Sequence, residues 1–147
     1  MDPKNYKRVL SRYATGIAII VTKIDKYSVK AITINSFSSI SLNPPFISWS
    51  LDKYSSTYSN FQNIKSFDVY ILSFRQKKIS NFFSSNTQAL FNSKVIKDLQ
   101  KFSLAKLSCA TIKKYTFGDH LFFLARVKKY KLNSNIRPLI YFSGTYK

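Results

Sequence analysis

The spacing of apolar and polar residues changes character several times along the 147-residue chain. Asp2-Pro3 followed by "KNYKRVLSRYA" puts Tyr6, Val9, Leu10 and Tyr13 on one face of a short helix, with Asp2 as its cap, Pro3 at its first position and Gly16 as its end. The β-branched runs 17–24 ("IAIIVTKI") and 29–34 ("VKAITI") flank the polar "DKYS", which is the pattern of an antiparallel hairpin. Immediately afterwards "TINSFSSISLNPP" (33–45) gathers an asparagine amide, four serines and a threonine before Asn-Pro-Pro, and reads as a polar connection into a strand at 46–51 ("FISWSL"). A serine-capped helix is expected at 55–64, a strand buried on both faces at 67–74, and a helix at 76–85 that turns Ile79, Phe82 and Phe83 inward. From 87 to 104 the pattern weakens into irregular chain with some helix. Residues 105–117 and 120–132 then alternate as two long strands turned at Gly118-Asp119, and 138–146 forms the last strand.

Six or seven strands, few helices and no strand-helix-strand rhythm predict a mainly β fold, a small antiparallel barrel with helices packed outside. The length fits a single domain over 1–147, and 45% hydrophobic with 16% aromatic residues is a globular composition.

The formal charge of +18 adds a possibility and the distribution removes it. Cationic chains gain affinity for phosphate backbones, but the lysines are scattered and no basic run exceeds pairs such as Lys7-Arg8, Lys77-Lys78, Lys113-Lys114 and Lys128-Lys129. That is a solvated surface, so no specific nucleic-acid partner is expected. The apolar run "GIAIIV" is too short for an export signal and nothing approaches a membrane span, so a cytoplasmic protein without a membrane anchor is expected. Cys109, the one cysteine, excludes an internal disulfide and a cysteine metal cluster, and reads as small core filler.

The side-chain inventory restricts the chemistry further. Six aspartates stand singly, glutamate is absent and His120 is the one histidine, so neither a close carboxylate pair nor a metal-ligand spacing exists. No G-x-S-x-G elbow is present to support a serine triad. An enzyme with this inventory needs a cofactor to carry the difficult step, the protein positioning and polarising it.

Seven blocks in order point to one such cofactor: "ATGIAIIVT" (14–22), "TINSFSSISLNPPFISWSL" (33–51), "SST" (55–57), "FDVYILSFRQKKISNFF" (67–83), "LAKLSC" (104–109), "GDHLFFLARV" (118–127) and "PLIYFSGTY" (138–146). Together they resemble the flavin reductase family, over almost the whole chain. The resemblance implies the FMN-binding split β-barrel fold, hydride transfer from NADH or NADPH to FMN or FAD, a homodimer with flavin near the subunit interface, and a flavin-dependent monooxygenase as recipient. A split-barrel module that binds flavin or another ligand without reductase activity is the alternative.

Carried over by position, the resemblance places Thr33, Asn35, Ser36, Ser39 and Ser41 along the flavin, where short donors suit the carbonyl and nitrogen edges of the ring. It places Ser50, Lys53, Ser55 and Thr57 at the flavin phosphate, with Asp52 beside them. His120 and Tyr146 fall at the nicotinamide and the open flavin face, His120 as a ring contact and not a general base, and Gln76 and Phe83 near the cofactor or the dimer contact. The chain departs from the family pattern at Ala31, Asn43, Tyr70, Ser108 and Ala125-Arg126-Val127; the first replaces a glycine and would crowd the flavin if backbone has to approach there.

Overall fold

Successive side chains of a strand point to opposite faces, so a strand that buries consecutive apolar residues lies between two cores. The computed structural model describes residues 1–26, 28–85 and 92–147, and two of its strands are of this kind. In β2 (Ala18–Lys23), Ala18 and Ile20 join a cluster around Trp49, whereas Ile19 and the preceding Ile17 join a second cluster with Leu72, Leu99 and Leu139. In β6 (Ser66–Ile71), Phe67 and Val69 belong to the first cluster and Tyr70 to the second. The double burial expected of 67–74 is therefore present, although the strand stops at Ile71 and Phe74–Gln76 form a short 3-10 turn.

These strands sit inside a seven-stranded antiparallel sheet. With β3 (Val29–Ile34), β4 (Ser38–Leu42), β5 (Pro45–Asp52), β7 (Ala105–Phe117) and β8 (His120–Leu132), the order is β3-β2-β6-β7-β8-β5-β4. Ile34 of β3 and Trp49 of β5 come from opposite ends of that order yet share the first cluster, so the sheet curls around Trp49. Trp49 stacks on Phe123 at 4.2 Å between ring centroids and meets Phe61 and Phe67 edge-on. Among the described residues the edge strands β3 and β4 share no ladder, which leaves the barrel split.

The second core is closed by α3 (Lys77–Ser84), α4 (Ser93–Phe102) and a small sheet of β1 (Thr15–Gly16), β9 (Ile140–Phe142) and β10 (Thr145–Tyr146), ordered β1-β9-β10. Both cores share β2 and β6.

Several expectations need correction. The helix over the N-terminal segment, α1 (Pro3–Leu10), is capped as expected by Asp2, whose carboxylate accepts from the Lys4 N–H at 2.9 Å. Ser11 ends it, however, while Gly16 pairs with Ile140 in β1, and its apolar residues Tyr6, Val9 and Leu10 stand exposed. The serine-rich connection is partly a strand: β4 pairs with β5, with a bulge between Ser39 and Ser41, and its Ile40 and Leu42 stay exposed at this edge of the sheet. The helix expected at 55–64 shrinks to one turn, α2 (Tyr58–Phe61), with Thr57 at its cap. In α3, Phe83 is buried but Phe82 is 43% exposed. Within the span left irregular, 87–91 lie outside the described residues, and Ser93–Phe102 form a full helix capped by Asn92, whose side chain accepts from the Val95 N–H at 3.1 Å. Positive φ at Ser143 and Gly144 folds the expected last strand into the β9-β10 hairpin. Gly118, also at positive φ, forms the turn expected between β7 and β8. No described helix is long and apolar enough to cross a membrane.

Candidate functional site

The split in the barrel opens where β3 ends. Beyond Ile34 the chain leaves the ladder, and Asn35 and Ser36 lie across the gap from β5. Two contacts hold them there: the Ser36 hydroxyl donates to the Ser50 carbonyl at 3.1 Å and accepts from the Ser50 N–H at 3.0 Å. On the other side the Thr33 hydroxyl donates to the Ser80 carbonyl at 2.8 Å, tying β3 to α3.

A depression with two lobes follows from this arrangement. The first lobe, of ≈ 350 Å³, is lined by Thr33, Asn35, Ser36, Ser50, Asp52, Ser55, Thr57, Phe83 and His120 among others. The second, of ≈ 560 Å³, lies between the stripe Lys77, Asn81 and Ser84 on α3 and the C-terminal residues Tyr141, Gly144, Thr145 and Tyr146. Thr33, Ile34, Asn35 and Ser84 line both, so the end of β3 is their common wall. Volumes of ~300–1,000 Å³ are those of small-molecule sites.

The polar groups in the first lobe divide into committed and available ones. The Ser36 and Thr33 hydroxyls are engaged with backbone as described, and those of Ser55 and Thr57 share a hydrogen bond at 2.8 Å. The Asp52 carboxylate accepts from the Tyr54 N–H at 2.8 Å and so is held in the turn after β5, at the edge of the lobe it lines. Among the described residues, the Asn35 amide and the Ser50 hydroxyl make no such bond and remain free to meet a ligand.

His120 stands opposite Asp52 in the β5-β8 ladder and lines the first lobe. Its Nδ1 lies 2.7 Å from Oδ1 of the neighbouring Asp119, and this hydrogen bond holds the Asp119 carboxyl below its ordinary range. The Lys53 N–H donates to the Asp119 carbonyl at 2.9 Å, so the loop carrying Ser55 and Thr57 is fastened to the turn carrying His120.

Not every expected residue arrives here. Ser39 and Ser41 lie on exposed β4 and line neither lobe; the Ser41 hydroxyl donates to the Pro44 carbonyl. Lys53 contributes its backbone to the 118–120 turn while its side chain lines neither lobe. Gln76 is 1% exposed and structural: its amide donates to the Asp98 carboxylate at 2.9 Å and to the Asp98 carbonyl at 3.2 Å, and its carbonyl accepts from the Ser73 N–H. Because α2 has a single turn, no helix terminus of consequence faces Ser55 and Thr57. Ala31 packs in the second core and lines neither lobe, so its methyl group does not crowd the depression. Tyr70 and Ser108 also lie off it, at the Lys106–Asp68 ion pair of 2.8 Å, where Ser108 donates to Asp68 at 2.6 Å.

The sequence reading missed Ser80, Lys77, Asn81 and Ser84. Ser80 is fully buried, and its hydroxyl shares a 2.8 Å hydrogen bond with the Tyr146 hydroxyl, fixing the β9-β10 hairpin against α3. The signal was available: Lys77, Ser80, Asn81 and Ser84 recur at helical spacing on one side of α3, opposite to what apolar periodicity selects.

The sequence and the fold are shared with known proteins. The family profile described as "Flavin reductase like domain" matches residues 10–147. The chain is 30% identical to the solved structure of flavin reductase PheA2 in its native state, with a TM-score of 0.87 over 100% of this chain and 97% of that one. It is 24% identical to a flavin reductase of Pseudomonas putida, covering 99% of this chain and 89% of that protein. It is 30% identical to the reductase component of a flavin-dependent trigonelline monooxygenase of Acinetobacter baylyi, spanning 99% of this chain and half (50%) of that longer protein.

Proposed function

We infer that this chain, which belongs to the flavin reductase family, passes hydride from a reduced nicotinamide dinucleotide to FMN or FAD held in the first lobe. The observation that carries this reading is that two adjoining lobes share Thr33, Ile34, Asn35 and Ser84 in their linings, so that a flavin in one and a nicotinamide in the other would be neighbours.

The donor set fits a flavin. The free Asn35 amide, the Ser50 hydroxyl and the backbone around Ser36 suit the carbonyl and ring-nitrogen edges, and the Ser55-Thr57 pair suits the phosphate, with the Asp52 carboxylate held back by the Tyr54 N–H. When bound, the flavin supplies the ring that accepts hydride and later gives up the electrons.

The residues of the chain do the positioning. Ser36, doubly bonded to Ser50, fixes the chain next to Asn35 at the mouth of the split, so the free Asn35 amide is carried to the lobe. Phe83, 6% exposed, supplies an apolar wall that keeps water from one side of the lobe. Asp119 engages the His120 ring at Nδ1, which leaves the other ring nitrogen for a contact in the lobe that His120 lines. Tyr146, held by Ser80, borders the second lobe and offers the nicotinamide an aromatic surface.

The wider assignment rests on exposed apolar surface and on relatives. Tyr6, Val9 and Leu10 of α1, and Ile112, Tyr115, Phe117, Tyr130 and Leu132 of the β7-β8 ribbon, are exposed large hydrophobic residues, the kind of surface a second copy of the chain covers. We assign a homodimer on that ground. A monooxygenase as electron recipient follows from relatives named as reductase components of such systems, and a reducing, cytoplasmic setting from the lone, buried Cys109.

The test is direct. The purified chain is titrated with FMN and with FAD, and NADH and NADPH oxidation is followed at saturating flavin. Flavin binding with flavin-dependent oxidation is expected. Binding without oxidation identifies a non-enzymatic module, and no binding overturns the reading altogether.

A further inference from the structure

Resting on the reading above, we propose that Lys77 anchors the pyrophosphate of the nicotinamide dinucleotide in the second lobe and so determines co-substrate affinity independently of the flavin. A nicotinamide dinucleotide brings negative charge that has to be met near the ring it delivers. Among the residues lining the two lobes, Lys77 is the one lysine or arginine. It makes no ion pair among the described residues, so its charge is available.

Its placement fits the role. The Lys77 ammonium lies 6.0 Å from the centroid of the Tyr146 ring, and both line the second lobe together with Thr33 and Asn35, so a cation and an aromatic surface stand side by side. Tyr146 is in turn held by the buried Ser80, one turn of α3 further on, which keeps the aromatic surface at a set distance from the start of the helix. The positive field also continues outward. A groove of ≈ 1,140 Å³ that shares Asn35, Tyr141 and Gly144 with the second lobe is lined by Lys4, Lys7 and Arg8. The first lobe, by contrast, carries no lysine or arginine and is lined by the Asp52 carboxylate, so the cation that meets a pyrophosphate in the second lobe is Lys77.

The experiment uses the full chain with Lys77→Gln and Lys77→Arg. NAD⁺ binding is measured by calorimetry and FMN binding by quenching of flavin fluorescence, neither of which depends on turnover; NADH kinetics at saturating FMN follow. Lys77→Gln is expected to weaken NAD⁺ binding and raise the NADH KM about tenfold, the size of one charge-assisted hydrogen bond, with kcat and the FMN Kd changed less than twofold. Lys77→Arg is expected to restore most of the loss. Unchanged NAD⁺ binding in Lys77→Gln overturns the proposal, and so does a weaker FMN Kd, which would move Lys77 to the flavin. A wild-type chain that binds FMN and NAD⁺ but oxidises no NADH overturns the reductase reading alone and leaves the binding comparison intact.

Discussion

Ser36 and Ser50 exchange two hydrogen bonds through one hydroxyl, 3.1 Å to the Ser50 carbonyl and 3.0 Å from its N–H, fourteen residues apart in sequence. That pair stands in for a missing stretch of ladder at the split and holds the free Asn35 amide in place. Ser36→Ala is expected to lower stability by about 1 kcal/mol and to weaken flavin binding several-fold, whereas Asn35→Ala weakens binding with the melting temperature unchanged. Thermal melts alongside fluorescence titrations separate the two; equal melting losses in both variants would contradict the division of labour.

His120 is expected to act on the nicotinamide side. His120→Ala should raise the NADH KM with little change in flavin Kd, and unchanged kinetics for both NADH and NADPH would retire the assignment. Asp119 supplies the accompanying pH dependence. Its carboxyl is held below the ordinary range by the hydrogen bond to His120, so its contribution to folding is complete above the ordinary carboxylate value of about 4 and disappears as pH falls below it. Melting temperatures measured against pH should therefore fall less steeply on the acid side in Asp119→Asn.

Gln76 is expected to matter for stability and not for ligand binding. Its buried amide joins the Ser73 N–H, the Asp98 carbonyl and the Asp98 carboxylate, so Gln76→Ala leaves buried partners unpaired and should cost about 2 kcal/mol in urea denaturation. The flavin Kd of the folded variant should equal that of the parent; a weakened Kd would return Gln76 to the site.

Cys109 is expected to be inert in the native protein. Burial, with Asp68 nearby, pushes its thiol up to about 12, so iodoacetamide at pH 8 should leave it unmodified until the chain is unfolded in urea. By the same shift the unfolded thiol ionises from about pH 8.5 upward while the folded one does not, so its contribution to stability declines from there toward 12. Rapid labelling of the folded chain would contradict the burial.

Much of this molecule is written locally. The cap at Asp2, the β-branched runs, the two buried faces around Val69 and Tyr70 and the turn at Gly118 each depend on residues within a few positions of one another, and periodicity reports such features. So do Thr33, Asn35 and Ser36, which follow one strand directly. What a local pattern cannot report is which edge a polar segment pairs with. In Ser38–Leu42 the apolar Ile40 and Leu42 alternate with serine yet both stay exposed, and the segment becomes strand β4 because β5 offers an open edge. Nor can sequence tell a buried amide that holds a core together from one that meets a ligand, which is why Gln76 changes role.

The sequence by itself determined most strands of the large sheet, the turn at Gly118, the family resemblance and the hydroxyl-rich segment at the end of β3. Only the tertiary structure decided which of those hydroxyls are available, because that depends on partners far away in the chain: Ser50 for Ser36, Ser80 for Thr33 and Tyr146 for Ser80. It also decided that the depression has two lobes, since Lys77 on α3 and Tyr146 at the C-terminus become neighbours only when the second core brings helix and hairpin together.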